Sequence, residues 1–242
     1  MVDGCLGITN VDALGGVHEL YLNRCTGITN VDALGQVNIL ALDGCLGITN
    51  VDPLGGVHEL YLNRCTGITN VDALGQVHKL TLNGCTGITN VNALGKVHIL
   101  SLDDCTGITN VDALDGVHEL YLNGCTGITN VDALGNVHKL SLEGCTGLVG
   151  IRNLPNVHDL DISDCTNIEE VVNLSSAAEL KATNCSKLQV LRNLPKLKSL
   201  DASKCINLVE LSGISNDIAN LDLIGCKKLK EIKGIKKTIR LP

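Results

Sequence analysis

The sequence has almost no aromatic residues and no long apolar run. Its 242 residues include three tyrosines, no phenylalanine and no tryptophan. Ordinary domains build much of their core from rings that bury about 150–250 Å² each, so a core of the usual globular kind is not expected. No run of about 18 apolar residues is present, and the first residues lack a charged segment followed by an apolar one. We therefore expect no membrane span and no secretion signal, and a cytoplasmic protein.

Basic residues are also few, and they gather at one end. The chain has 19 lysines and arginines against 26 aspartates and glutamates, a net charge of -7. An acidic chain without aromatics beside its basic residues is not expected to bind nucleic acid, and we expect no membrane partner. Residues 226–242 hold seven of the basic side chains. We interpret this segment as a charged cap that opposes further strand pairing.

Cysteine and glycine are abundant, with 12 and 26 copies, and the first cysteines recur every twenty residues. The segment 17–36 recurs unchanged at 57–76 and with two changes at 117–136. Periods of 20–50 residues indicate repeat architectures such as solenoids. One repeat places its apolar side chains at Val17, Leu20, Leu22, Cys25, Ile28, Val31 and Leu34.

The apolar spacing changes within each repeat. Alternation at Leu20 and Leu22 predicts a strand. The later spacing of three predicts an irregular or short 3₁₀ return around 32–34, with Asn30 or Asp32 as its cap. Twenty residues leave no room for a strand and a full α-helix.

The second part of the chain diverges but keeps the same apolar columns. One divergent repeat places them at Leu148, Ile151, Leu154, Val157, Leu160, Ile162 and Cys165. A single repeat buries too little apolar surface to fold alone, so each needs its neighbours. We predict one solenoid domain over residues 1–242. Near-identical repeats fill 1–146, divergent repeats fill 147–225, and the cap follows at 226–242.

Two features depart from the strict period. One extra residue lies between Cys205 and Cys226, which predicts a small bulge at 215–217. The chain also begins in the middle of a strand, so the first layer is expected to be open. We expect either pairing of this end with another chain or a missing preceding domain. The apolar residues at this end are Val2, Ile8, Val11 and Leu14.

The repeat resembles a known family. Leucine-rich repeats carry the strand signature L-x-x-L-x-L-x-x-N/C-x-L, and residues 17–28 read V-H-E-L-Y-L-N-R-C-T-G-I. Residues 28–34 look like the convex 3₁₀ segment of internalin-type repeats, and the cysteine looks like that of the cysteine-containing subclass. The resemblance implies a right-handed superhelix with a concave parallel β-sheet, convex 3₁₀ or irregular segments and no long helices. It also implies protein binding on the concave face.

All twelve cysteines occupy one column of the repeat. Neighbouring strands would bring their Cα atoms within disulfide range, so bridges are one interpretation. The other is a ladder of reduced thiols that pack as small hydrophobes, which we favour because no C-x₂-C pair suggests a metal. The structural cysteines expected in the regular repeats are Cys25, Cys45, Cys65, Cys85, Cys105 and Cys125.

Two further columns carry titratable side chains. The histidine column contains His18, His58, His78, His98, His118, His138 and His158. Stacked imidazoles can bind a transition metal or sense pH, or they are surface residues copied with the repeat. The acidic column contains Asp12, Asp32, Asp52, Asp72, Asp112 and Asp132. These carboxylates suit either turn capping, which we favour, or calcium.

Most differences between the regular repeats fall on the predicted sheet face. We expect a partner there, with Tyr and Arg as anchors because both are frequent in binding hot spots. The alternative is that these positions vary because no core contact restrains them. The residues predicted to contact a partner are Glu19, Tyr21, Asn23, Arg24, Glu59, Tyr61, Asn63, Arg64, Lys79, Asp103, Asp104, Glu119, Tyr121 and Lys139.

These patterns favour a non-enzymatic scaffold for protein interactions, with no catalytic residues, no metal and no cofactor. No nucleophile elbow, phosphate-binding glycine loop or isolated acid–base pair interrupts the repeat. A second interpretation is a structural or self-associating repeat protein, of recent duplication or consensus design. A third is the recognition fragment of a larger protein, such as the substrate receptor of a ubiquitin ligase.

The histidine column predicts a pH dependence of stability. Protonated imidazoles stacked on one another repel, whereas those of an unfolded chain are far apart. We expect a lower Tm at pH 5 than at pH 7.5, measured by circular dichroism. An unchanged Tm would contradict electrostatic coupling within the column.

Overall fold

The computed structural model describes residues 4–230 and 232–233. The chain forms two compact units, Met1–Tyr121 and Leu122–Pro242. Two predictions reach residues outside the described part. These are the role of Val2 at the amino-terminal end and most of the basic cap, of which only Lys227, Lys228 and Lys230 have described side chains, all exposed.

The first unit repeats a short strand and a 3₁₀ turn. Its described strands are parallel, and each pairs with the next in a register of twenty residues, such as Leu20 with Leu40. The strands are β1 (Glu19–Tyr21), β2 (Ile39–Ala41), β3 (Glu59–Tyr61), β4 (Lys79–Thr81), β5 (Ile99–Ser101) and β6 (Glu119–Tyr121). The 3₁₀ turns are Asp12–Leu14, Asp32–Gln36, Asp52–Gly56, Asp72–Gln76, Asn92–Leu94 and Asp112–Gly116.

The strands are short because a left-handed residue follows each of them. Arg24 has a φ of 59° and Gly44 a φ of 71°, which turns the chain out of the sheet. The residue before each of these left-handed residues is asparagine or aspartate, and its side chain joins adjacent layers. The side-chain Oδ1 of Asn23 accepts a hydrogen bond from the backbone N–H of Asp43 at 3.0 Å. The Oδ1 of Asp43 in turn accepts from the N–H of Asn63 at 2.7 Å.

An asparagine side chain organises each 3₁₀ turn. The Oδ1 of Asn30 accepts a hydrogen bond from the backbone N–H of Asp32 at 2.8 Å, and the same bond recurs at Asn70 and Asp72 with 2.9 Å. This confirms the predicted 3₁₀ return and selects asparagine between the two predicted caps. In this bond the aspartate contributes its N–H and not its carboxylate.

The second unit replaces most of the 3₁₀ turns with strands. Its described strands are β7 (Lys139–Ser141), β8 (Gly150–Ile151), β9 (Asp159–Asp161), β10 (Glu170–Val172), β11 (Glu179–Lys181), β12 (Val190–Leu194), β13 (Ser199–Asp201), β14 (Glu210–Ile214), β15 (Asn220–Asp222) and β16 (Ile232–Lys233). The odd-numbered strands form one parallel sheet and the even-numbered strands another. The second sheet was not predicted.

The loss of the capping asparagine explains this second sheet. Where earlier repeats carry Asn30 or its equivalents, the divergent repeats carry Gly150, Glu170, Val190 and Glu210. Without that side-chain acceptor, and with β-branched residues at 171 and 172, an extended return is favoured. An ion pair at 2.7 Å between Arg152 and Glu170 joins adjacent returns.

The extra residue falls where the sequence predicts it. Strands β12 and β14 pair with an offset of twenty, as Val190 with Glu210. Strands β13 and β15 pair with an offset of twenty-one, as Ser199 with Asn220. The insertion therefore lies between β14 and β15, where the N–H of Asp217 bonds the Oγ of Ser215 at 3.0 Å.

The predicted apolar columns form the core in both units, and the cysteines belong to it. From Cys25 to Cys226 the cysteines are free thiols with at most 1% exposure, whereas Cys5 is half-buried. Most of these thiols also donate a hydrogen bond to a carbonyl of the preceding layer. The Sγ of Cys65 donates to the Leu42 carbonyl at 3.2 Å, and that of Cys165 to the Leu142 carbonyl at 2.9 Å. Burial raises the pKa of Cys65 and Cys165 to about 12. All twelve cysteines are free thiols in the structure, and their assignment as reduced structural thiols stays a prediction.

In the regular repeats, the glycine two residues after the cysteine allows adjacent layers to approach closely. A methyl group built on Gly87 would lie 2.9 Å from the carbonyl oxygen of Ile68 and 3.4 Å from that of Thr66. The corresponding position in the first repeat, Gly7, has no atom within 4 Å. In the regular repeats, glycine is therefore required by the preceding layer and not by the local turn, whereas the divergent repeats carry Asn167 and Lys187 at this column.

This difference predicts the effect of two matched substitutions. Gly87→Ala should destabilise the protein by about 1–3 kcal/mol, because the methyl group forces two backbones apart. Gly7→Ala should change stability by less than about 0.5 kcal/mol. Thermal unfolding of both variants measures the difference. Equal Tm shifts would contradict a close approach of layers at Gly87.

Candidate functional site

The sheet of the first unit carries repeated pairs of tyrosine and glutamate. The Oη of Tyr61 donates a hydrogen bond to the Oε2 of Glu59 at 2.7 Å, and the Nζ of Lys79 lies 5.3 Å from the centre of the Tyr61 ring. Tyr21 bonds Glu19 in the same way at 3.2 Å. Burial, together with the bond to Glu59, raises the pKa of Tyr61. The phenol therefore stays a neutral donor, and its ring is held in place.

Tyr121 repeats the same pairing at the far strand of this unit. Its Oη donates to the Oε2 of Glu119 at 2.8 Å. Lys79 adds positive charge between the tyrosine-bearing strands β3 and β6. The face is thus built of aromatic rings and charges of both signs, which can offer apolar contact and hydrogen bonds together.

A groove runs along the turns that follow the strands. Its volume is about 460 Å³. The left-handed position of successive repeats is occupied alternately by a long side chain and by glycine, and this alternation opens the groove. In order these residues are Arg24, Gly44, Arg64, Gly84 and Asp104.

Charged side chains follow one another along the length of the groove. Arg24 lies at one end, Asp43 and Arg64 lie in the next two layers, and Asp103 and Asp104 lie at the other end. With strands about 4.8 Å apart, the two arginine backbones are about 10 Å apart, and Arg24 and Asp104 are about 19 Å apart. Among the described residues, no ion pair joins Arg24 or Arg64 to a carboxylate. Both guanidinium groups are available to an acidic ligand.

Bonds between layers hold the floor of the groove. The Oδ1 of Asn63 accepts from the N–H of Asn83 at 2.9 Å, and the Oδ1 of Asn83 accepts from the N–H of Asp103 at 2.9 Å. The hydroxyl of Ser101 also donates to the Oδ1 of Asn83, at 2.7 Å. The floor is therefore rigid, while the arginines project from it.

The predicted partner residues divide into three groups. Those on the strands of the first unit are Glu19, Tyr21, Glu59, Tyr61, Lys79, Glu119 and Tyr121. Those in the turns after strands are Asn23, Arg24, Asn63, Arg64, Asp103 and Asp104. Lys139 lies on β7 of the second unit. The side-chain oxygens of Asn23 and Asn63 accept hydrogen bonds from backbone N–H groups of the next layer, so these two residues join layers.

Several groove residues were not among the predicted contacts. Asp43, Asn83 and the glycines Gly44 and Gly84 line the groove with the predicted residues. The alternation of glycine with large residues at one column was the available signal. This alternation could be interpreted only once the structure showed that the residues of this column have a positive φ and lie outside the strand.

The histidines stack as the repeat predicts. Ring centres are 4.8 Å apart for His58 and His78, 4.9 Å for His78 and His98, and 4.8 Å for His98 and His118. Parallel rings at this spacing do not converge on one ion. Within residues 4–230 and 232–233, no group of three or more histidine, cysteine, aspartate or glutamate side chains is placed to hold a metal. No helix in that part of the chain is long and apolar enough to span a membrane.

Comparison with solved structures finds two proteins from Listeria monocytogenes. The functional domain of InlJ from Listeria monocytogenes, which includes a cysteine ladder, is 14% identical over 98% of this chain, with a TM-score of 0.43. This chain covers 63% of that domain, less than two thirds of its length. An internalin (inlF) from Listeria monocytogenes is 17% identical over 96% of this chain and 90% of its own, with a TM-score of 0.38. No protein-family model and no curated protein matches the sequence.

Both units are leucine-rich repeat solenoids. The parallel strands, the period of twenty residues, the 3₁₀ returns and the cysteine ladder establish this fold from the chain itself. The candidate site is the sheet of the first unit together with the turns that follow its strands.

Proposed function

We propose that this protein is a non-enzymatic scaffold that binds an extended peptide segment of a partner protein along the groove of the first unit. The observation that supports this most is the order of charges along the groove. Arg24 lies at one end and Arg64 in the middle, Asp103 and Asp104 lie at the other end, and hydrogen bonds between layers join the floor. A segment with acidic side chains at one end and basic side chains at the other matches this arrangement.

The dimensions define the length of that segment. An extended chain advances about 3.3 Å per residue, so a distance of about 19 Å corresponds to about six residues. Guanidinium groups at Arg24 and Arg64 suit carboxylates, because each presents a planar fork of donors. Gly44 and Gly84 leave space between the charged side chains for the ligand.

The neighbouring sheet offers additional contacts. Tyr21 and Tyr61 are already held by their bonds to Glu19 and Glu59, so little rotamer freedom is lost when a partner packs on them. Tyrosine and arginine are the residue types most frequent in binding hot spots. A partner that fills the groove and covers these rings would gain both charge recognition and apolar burial.

A peptide display experiment tests the proposal. The immobilised full chain is expected to enrich peptides in which acidic and basic residues are separated by about three to six positions, since Arg64 and Arg24 lie about 10 and 19 Å from Asp104. Arg64→Gly should weaken the selected peptides about 5- to 30-fold, because it removes one guanidinium and leaves the residue that other repeats carry at this column. Asp104→Gly should remove the selection for the basic residue.

Lys96→Gly is the matched control. It also removes one cation and also restores a residue that other repeats carry, Gly56 and Gly116, but it does not line the groove. Binding should be unchanged in this variant. Enrichment of peptides without separated charges, or equal loss of binding in Arg64→Gly and Lys96→Gly, would refute the proposal.

A further inference from the structure

A second recess lies in the second unit, where the histidine column is interrupted. Successive layers there carry His158, Ala178 and Lys198 at the same column. Ala178 is 5% exposed, and its methyl group leaves the space that an imidazole fills elsewhere. The recess has a volume of about 320 Å³. In the first unit the corresponding column from His58 to His118 is closed by rings 4.8–4.9 Å apart.

Backbone hydrogen bonds fix the walls of this recess. The N–H of Ala178 donates to the His158 carbonyl at 2.9 Å, and the N–H of Lys198 donates to the Ala178 carbonyl at 2.8 Å. His158 and Lys198 therefore stand two strand spacings apart, about 10 Å, on either side of the gap. The spacing is set by the fold and does not depend on side-chain rotamers.

The lining is rich in hydrogen-bond donors and contains no carboxylate. Lys196 and Lys198 supply two exposed ammonium groups, Ser176 a hydroxyl and Asn156 an amide. No ion pair joins either lysine to another residue of the described part of the chain. Asp159 and Glu179 each follow a lining residue in the chain, and the Oδ1 of Asp159 lies 2.7 Å from the Nδ1 of His158. The two lysine charges are thus not neutralised locally.

We propose that this recess binds the phosphoryl group of a small phosphate compound. Donors on opposite sides of a bound phosphate are about 8 Å apart, which fits a gap of about 10 Å with the Asn156 amide on one side and the flexible Lys196 and Lys198 on the other. The two ammonium groups match the charge of a phosphate, and the hydroxyl and amide supply donors for its remaining oxygens. The volume leaves room for more than one phosphoryl group, so pyrophosphate is a suitable probe. This site is separate from the proposed peptide groove.

The test is isothermal titration calorimetry of the full chain with inorganic pyrophosphate, in a phosphate-free buffer at low salt. Saturable binding to one site is expected. Ala178→His fills the recess with the residue that most other repeats carry, so the variant should fold and should bind at least 10-fold more weakly. Lys196→Gln should also bind at least 5-fold more weakly. Glutamine is the residue at this column in Gln36 and Gln76.

Lys96→Gln is the matched control, because it makes the same change at the same column in the first unit and does not line the recess. Its affinity should equal that of the unchanged protein. The proposal is overturned if pyrophosphate shows no saturable binding, if Ala178→His binds as tightly as the unchanged protein, or if Lys96→Gln loses as much affinity as Lys196→Gln. Binding to phosphatidate vesicles without binding to pyrophosphate would also overturn it, because the source would then be a lipid surface.

Discussion

The contact between one layer and the next is the interaction on which the whole structure depends. After the strand, a buried carbonyl accepts a backbone N–H of its own layer and, in addition, the thiol of the cysteine in the following layer. The Leu42 carbonyl, for example, accepts both the N–H of Cys45 at 3.1 Å and the Sγ of Cys65 at 3.2 Å. A thiol suits this place because it packs as a small hydrophobe and still donates a weak hydrogen bond. No layer can make these contacts alone.

Contacts between adjacent layers also determine the positions at which the repeats can differ in sequence. Core columns are held by the adjacent layer and change little, and so does the glycine column up to Gly147, although the divergent repeats carry Asn167 and Lys187 there. The left-handed column after each strand has no such packing requirement, and it carries Arg24, Gly44 and Asp104 in different repeats. Variation at this column produces the charged groove. Variation at the histidine column, where Ala178 replaces a ring, produces the basic recess.

Much of the fold could be predicted from the sequence because the period makes each column visible. The seven apolar positions, the strand at Leu20 and Leu22, the 3₁₀ return and the site of the extra residue were all predicted. The second sheet was not, because the pattern of apolar residues is the same for a 3₁₀ return and an extended one. What differs is the loss of the asparagine equivalent to Asn30, and its role is visible only in the hydrogen bond that it accepts.

The candidate site could be predicted only in part. The charged and aromatic residues were recognised, but Arg24 and Arg64 were assigned to the strand face, whereas they lie in the turn with a φ of 59°. A positive φ is costly for arginine, and glycine at the same column in Gly44 and Gly84 was the sequence signal for it. Groove and recess depend on the distances between layers, which a sequence does not give.

Alkylation of the native protein by iodoacetamide, mapped by mass spectrometry, tests the layered core most directly. Burial raises the pKa values of Cys45, Cys65, Cys85 and Cys105 to about 11–12, which makes these thiols poor nucleophiles at pH 8. All the cysteines from Cys25 to Cys226 are also buried out of reach of the reagent. The account predicts modification of the half-buried Cys5 and protection of the cysteines from Cys25 to Cys226 until the protein is denatured. Modification of Cys65 or Cys165 at the rate of Cys5, or disulfides between neighbouring layers, would contradict it.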